Sequence, residues 1–206
     1  MDKSFWSAVE GRRSLYALDD KIIVPEARIE QIVTDALKHV PSPYNSQSTR
    51  MLLLFGKEHK TLWDITLDAL RAVTGPERFP ETEAKVNSCF KAGYGSVLYY
   101  VDKDAVDALA AKFPAYAEKF ALWSQHSSAM HQYVIWTALE AEGLGATLQH
   151  YNPLIDEAVK KRWNVPESWQ LVAQMPFGRP IGAPGEKDIS PIPSRLMVYR
   201  DGGASE

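Results

Sequence analysis

The segment Gly143-Leu144-Gly145-Ala146-Thr147-Leu148-Gln149-His150 decides which kind of fold the rest of the chain builds. Two closely spaced glycines can mark the phosphate-binding turn of a doubly wound sheet, but only where a strand precedes them and a helix follows. Here the order is reversed. Residues 116–142 read as one long helix, and Gly143 is its stop. The middle of that helix, residues 130–139, is apolar on more than one side, as expected of a helix buried in a core or a large interface. Beyond it, two glycines let the backbone turn sharply and approach another group closely. A plain helix stop followed by an ordinary segment has the same sequence signature.

Outward from this segment the chain is rich in helix and poor in strand. Ser4 is placed to cap a short helix with Phe5, Trp6 and Val9 on its apolar side, running into Gly11-Arg12-Arg13-Ser14. Pro25 suits the first turn of a second helix. Ile29, Ile32, Val33, Ala36 and Leu37 then mark one buried face, and Pro41 and Pro43 end it. The apolar run 51–55, closed by Gly56, reads as a buried strand. Leu62, Ile65, Ala69, Leu70 and Val73 define a helix that stops at Gly75-Pro76. A further helix is expected around 81–92, a second strand over 96–101 and a helix over 104–112. Residues 169–175 read as a third strand closed by Pro176-Phe177-Gly178-Arg179-Pro180, and 196–199 as a last, edge strand. Strands and helices do not alternate regularly, so the expectation is an α+β fold: one domain over residues 1–206, with a small central sheet surrounded by helices.

Bulk properties narrow the function classes. Among 206 residues, 45% are hydrophobic and 24% charged, which allows a core of ordinary size. Lys and Arg number 23 against 26 Asp and Glu, a net charge of -3, which gives nucleic acid no general electrostatic reason to bind. No Cys/His spacing suggests a metal site. No run approaches the ~20 apolar residues of a membrane span, and no signal-peptide pattern opens the sequence, so a cytoplasmic protein is expected. The single cysteine, Cys89, excludes an intrachain disulfide and is expected to be a small core residue.

Four short segments could carry chemistry. Arg12-Arg13-Ser14 puts two guanidiniums and a hydroxyl where they can surround a phosphate, although a solvated basic helix end looks the same. Pro41-Ser42-Pro43-Tyr44-Asn45-Ser46-Gln47 is a stiffened loop with amide donors and acceptors suited to a flat heteroaromatic ring, or an ordinary turn. Leu148, Gln149 and His150 follow the glycine turn. Ser194-Arg195 lies near the C-terminus and alone carries almost no signal.

In this order and at these separations, the four segments resemble the nitroreductase family over nearly the whole chain. The resemblance implies an α/β/α sandwich and an intertwined homodimer with FMN as cofactor. It implies that Arg12, Arg13 and Ser14 hold the FMN phosphate and ribityl chain, with Arg195 closing over the phosphate. It assigns Asn45, Ser46 and Gln47 to a loop that meets the flavin across the dimer interface. Leu148, Gln149 and His150 take the places that lie along the ring, and Gly143 to Ala146 and the Pro-x-Gly-x-Pro of 176–180 are supporting marks. The implied activity is reduction of nitroaromatics, quinones or similar small oxidants by NAD(P)H in a ping-pong cycle. No side chain is required as a catalytic acid or base, because the flavin carries the chemistry. Four positions depart from the common pattern. Tyr16 and Pro193 stand where many members have cations, Ser48-Thr49 replaces Pro-Trp, and His150-Tyr151 replaces Glu-Gly. These departures leave a second function open, a protein that senses or sequesters FMN with little turnover. The compact length resembles the branch that includes fungal proteins linked to fatty-acid response.

Overall fold

The structure is a computed structural model that describes residues 3–201 together with the backbone of 203 and 204. In chain order the elements are α1 (Phe5–Gly11), β1 (Leu18–Asp19), α2 (Glu26–His39), β2 (Thr49–Phe55), α3 (Gly56–Thr74), α4 (Phe79–Val86), β3 (Gly95–Asp102), α5 (Lys103–Lys112), α6 (Ala117–Ala141), β4 (Gly145–Ala146), α7 (Asp156–Trp163), β5 (Trp169–Pro180), β6 (Tyr199–Arg200) and β7 (Gly203–Ala204). The main sheet has the order β1-β5-β3-β2, with β4 also pairing on β5, and every pairing in it is antiparallel.

Period-two alternation along the strands sends side chains to two apolar layers. Val97 and Tyr99 of β3 and Ala173, Met175 and Phe177 of β5 pack against Ile29, Ile32 and Ala36 of α2 and Ile135 and Leu139 of α6. On the opposite face Leu54, Leu98, Tyr100 and Leu171 meet Leu62, Trp63 and Leu67 of α3, Phe79 of α4 and Val159 of α7. The two-face division is the helix-sheet-helix sandwich expected. Leu171 and Ala173 are two residues apart yet face opposite layers. Tyr100 pairs with Leu171 and Tyr99 with Ala173, so Val172 is the extra residue of a β-bulge, which resets the alternation. Cys89 is half-buried at the rim of the second layer, in a wide helical turn (Asn87–Lys91) that continues α4.

Three expectations need correction. The strand predicted to close before Pro176 runs on to Pro180. The carbonyl of Pro176 accepts from Thr147 N at 3.2 Å, on the side of the strand away from β3. N–H and C=O of one residue point to the same side of an antiparallel strand, so the donor that proline lacks falls on that outer edge. The last strand is not an edge of the main sheet: Tyr199–Arg200 pairs only with Gly203–Ala204, in a separate hairpin. On α1, the Ser4 hydroxyl does cap the helix, accepting from Ser7 N at 3.2 Å. Two of its three apolar residues are nevertheless not covered: Phe5 and Trp6 are 67% and 68% exposed, while Val9 is half-buried.

The α6 helix is likewise only partly covered. Ile135 and Leu139 are buried, whereas Met130, Tyr133 and Val134 are exposed, as is Leu37 of α2. Between α2 and α6 runs an apolar trough of about 740 Å³ floored by Ile32, Ala36 and Ala138. From Ile181 onward the chain leaves the body as an exposed segment carrying Ile189, Ile192, Leu196 and Met197. Among the described residues no helix is long and apolar enough to cross a membrane.

Candidate cofactor-binding site

Two sequence-distant segments meet where α1 ends. Leu15 N donates to Ala146 O at 3.0 Å, and Ser14 forms a parallel bridge with Ala146. The contact is possible because position 145 is glycine: a Cβ there would lie 2.7 Å from Leu18 Cδ2 and 3.1 Å from Leu15 Cδ1. Gly143, with φ +85°, turns the chain out of α6 into this pairing. Thr147 to Gln149 then run extended along the outer edge of β5. Gln149 N donates to Gln174 O at 2.7 Å, and Gln174 N donates to Gln149 O at 2.9 Å. Leu148 and Gln149 are half-buried and His150 is exposed. The Gln149 amide is tied back to Thr147 Oγ1 at 3.1 Å.

The three residues after α1 have different surroundings. The Arg12 guanidinium lies over the Trp136 ring at 4.6 Å and near Tyr133 at 5.9 Å, a cation-π stack on α6. Its Nε is buried with no hydrogen-bond partner among the described residues. Arg13 Nη2 donates to Gly185 O at 2.7 Å, which fastens the start of the exposed C-terminal segment. Ser14 is exposed. Arg195 lies farther along that segment, where its Nη2 donates to Ser190 O at 3.1 Å.

The loop of residues 41–47 sits at the other end of the sheet. Asn45 N donates to Ser42 O at 3.0 Å and Gln47 N to Ser42 Oγ at 2.9 Å, folding the loop on itself. Tyr44, Asn45 and Gln47 have φ of 52°, 51° and 47°. Left-handed backbone is ordinary for Asn and costly for Tyr and Gln, and such strain concentrates at functional sites. The Tyr44 ring anchors the loop against Phe113 and Phe120, with centroids 4.6 and 5.6 Å away. Asn45 and Gln47 are exposed, and Ser46 is half-buried with its hydroxyl 3.4 Å from Ser48 Oγ. A cleft of about 520 Å³ beside the loop is lined by Ser42, Ser46, Gln47, Thr49, Arg50 and His131. Arg50 supports this wall, pairing with Asp102 at 2.7 Å and donating to the Gln47 carbonyl. His131 donates from Nδ1 to Ser127 O at 2.7 Å, and burial lowers its pKa, so the ring is neutral at physiological pH.

Strand β3 measures the separation of these two half-sites. Gly95 pairs with Phe177, next to β4 and Ser14, while Val101 pairs with Thr49, two residues from Gln47. The six steps of β3 from Gly95 to Val101, about 20 Å at the rise of an antiparallel strand, lie between them within one chain. Among the described residues no group of three or more His, Cys, Asp or Glu side chains is disposed to hold a metal ion.

Sequence reasoning missed Trp136, Gln174 and Arg50. Trp136 is four residues before Glu140 on the α6 face that meets α1, a spacing available in the sequence; what it stacks on was not. Gln174 interrupts the apolar run from Leu171 to Phe177, and a polar residue there is a legible sign of a buried partner.

Comparison with known proteins identifies the family. Residues 9–179 match the model of the Nitroreductase family. The putative nitroreductase HBN1 of Saccharomyces cerevisiae is 36% identical over 186 residues, covering 89% of this chain and 92% of the yeast protein. The structure of nitroreductase CinD from Lactococcus lactis in complex with 4-nitrophenol superposes with a TM-score of 0.87 at 39% identity, covering 96% of this chain and all of that one. At the level of fold alone, a putative nitroreductase in complex with FMN from Exiguobacterium sibiricum matches with a TM-score of 0.69 at 16% identity over 94% of this chain and 96% of that one. With the family model spanning most of the chain and relatives above one-third identity along nearly their whole length, the chain belongs to the nitroreductase family of oxidoreductases.

Proposed function

We propose that the protein is a homodimeric, FMN-dependent NAD(P)H oxidoreductase that reduces nitroaromatics, quinones or similar electron-poor molecules in a ping-pong cycle. The observation that carries this reading is the junction of Arg12-Arg13-Ser14 with Gly145-Ala146, which sets an anion-binding segment beside the extended Leu148–His150 edge. The residues fit the cofactor: Arg12 has a buried Nε with no partner and a guanidinium held by stacking. In this reading Arg12, Arg13 and Ser14 hold the phosphate, and the Leu148–His150 edge runs along the ring. Bound FMN supplies the redox chemistry, two electrons from NAD(P)H in one half-reaction and delivery to the oxidant in the other. Leu148 offers an apolar surface to a flat ring, Gln149 is held by Thr147, and the exposed His150 borders the place where a substrate would stack. The 4-nitrophenol held by CinD supports a nitroaromatic as one oxidant.

The separation of the half-sites supports the homodimer. The roughly 20 Å of β3 between the two half-sites exceeds the span of one tricyclic ring, so in this reading Asn45, Ser46 and Gln47 complete the site of a second copy. The uncovered Phe5, Trp6, Met130, Tyr133 and Val134 and the exposed apolar segment after Ile181 give that copy a large surface to bury.

Two predictions test these statements. Protein incubated with FMN and desalted is expected to be yellow with about one FMN per chain. Anaerobic mixing with NADH or NADPH should then abolish the visible flavin band rapidly. A yellow protein that neither nucleotide bleaches would favour the sensing or sequestering reading, to which Tyr16 in a cation's place also points; a colourless protein would end both. For the shared site, a chain carrying Arg12→Ala is mixed with one carrying Asn45→Ala and Gln47→Ala. Hybrid dimers are expected to regain one intact FMN site in two, as each supplies what the other lacks. A monomer in sedimentation with FMN fully bound would contradict the shared site.

A further inference from the structure

We propose that Gln174 of β5 is a positioning residue that fixes the flavin-facing segment 148–150 by holding Gln149 and Tyr151 on either side of His150. The role rests on the reading above that this segment lies along the flavin. Gln174 is wholly buried, the one amide side chain in the centre of the apolar strand β5. Its backbone makes both hydrogen bonds of a bridge with Gln149, at 2.7 and 2.9 Å. Its side-chain Oε1 accepts from Tyr151 N at 2.8 Å. One residue therefore holds position 149 from the backbone and position 151 from the side chain, and His150 stands between the two fixed points.

The orientation of the amide is dictated by its partner. A backbone N–H can only donate, so the oxygen must face Tyr151 and Nε2 must face away. Nε2 is buried and has no partner among the described residues. Among the described residues the side chain's single directed contact is the one that sets Tyr151. The edge needs such a clamp because β5 has no continuous strand beside it here. β4 ends at Ala146, and beyond it Thr147 N to Pro176 O and the Gln149 bridge are the ladder. Tyr151 then turns inward, its ring 6.0 Å from Trp63 and 6.3 Å from Phe90, so a slip at 151 would draw His150 and Leu148 with it.

Gln174→Leu removes the acceptor and leaves the backbone bridge intact. In the apoprotein, amide exchange at Tyr151 is expected to accelerate about tenfold, as it loses the Gln174 Oε1 acceptor. FMN affinity should fall about tenfold, with a displaced visible flavin band. Gln174→Glu keeps an acceptor oxygen at the same place and should restore both band and affinity. Gln174→Met, also without the acceptor, carries the same test if the leucine variant does not fold. Tyr151 exchange unchanged from wild type, or an unaltered flavin band and affinity in the variants lacking the acceptor, would overturn the role. Wild-type protein that takes up no FMN would overturn the flavin reading itself and this role with it.

Discussion

Replacing Arg12 with Ala is expected to weaken FMN binding by roughly 10- to 150-fold and to leave riboflavin binding unchanged. The phosphate is the only strongly charged part of FMN, and hydrogen bonds to charged groups contribute about 1.5–3 kcal/mol each. Arg12 is prepared for that role. Its guanidinium is already immobilised on Trp136 at 4.6 Å, so little side-chain entropy is lost when an anion arrives. Its buried, unpartnered Nε leaves donor capacity unused by the protein. Riboflavin lacks the phosphate, so a loss confined to FMN separates the anion contact from a general loss of structure. Arg195→Ala should act in the same direction through the exposed C-terminal segment. The thermal midpoint of the apoprotein should change little for either variant, since Arg12→Ala relieves repulsion with the neighbouring Arg13 and Arg195 lies on an exposed segment. Fluorescence-quenching titrations with both flavins measure this. Equal losses for FMN and riboflavin, or none in either variant, would move the phosphate elsewhere.

The fold was legible wherever a local pattern coincided with a packed face. Ile29, Ile32, Val33 and Ala36 are four positions of a helical stripe, and all four are buried. Leu37, on the margin of that stripe, is 40% exposed beside an open cleft. Gly75 and Gly143 stop their helices with positive φ, as a glycine stop requires. Illegible features depended on the other side of a strand. Pro176 looked like a terminator because a central strand excludes proline; only the knowledge that its N faces an irregular edge removes the objection. The last strand failed for a related reason, as residues 196–198 have no neighbouring strand to pair with. The candidate site divides in the same way. Its four segments could be named, yet no pattern in the sequence states that Ser14 touches Ala146, 132 residues away. Nor does any show that the loop of residues 41–47 is held far from both, or that Gln174 and Trp136 support them.

Lowering the pH from neutral to about 4 is expected to cost the folded protein about 3 kcal/mol through His59 alone. His59 lies on α3, fully buried against β3. Its Nδ1 is 2.8 Å from Ser96 Oγ, its Nε2 is 3.3 Å from Lys91 O, and Trp63 Nε1 is 3.2 Å from the same Ser96 oxygen. These contacts are satisfied by one arrangement of a neutral ring. Nε2–H donates to Lys91 O, Ser96 O–H donates to Nδ1, and Trp63 N–H donates to Ser96 Oγ. A second proton on Nδ1 would face the hydroxyl hydrogen and break the chain. Burial is the main force pushing the pKa of His59 from 6.5 down to about 4; Lys60 lowers it further, while the Lys91 and Phe90 carbonyls and Asp20 oppose the shift. Above pH 6.5 both folded and unfolded states carry the neutral ring and nothing is lost. As pH falls from 6.5 to about 4 the unfolded chain binds a proton that the folded chain refuses, so stability declines through that window. Below about 4 both states bind it and the slope from this residue vanishes. Carboxylates and His131 titrate over part of the same range, so the quantity to measure is a difference. Urea unfolding of wild type and His59→Gln, followed across the window, should diverge by about 3 kcal/mol in dependence on pH, with the variant the flatter. Parallel curves, or a His59 imidazole resonance that titrates near 6.5 in the folded protein, would show that the ring is not held neutral between α3 and β3.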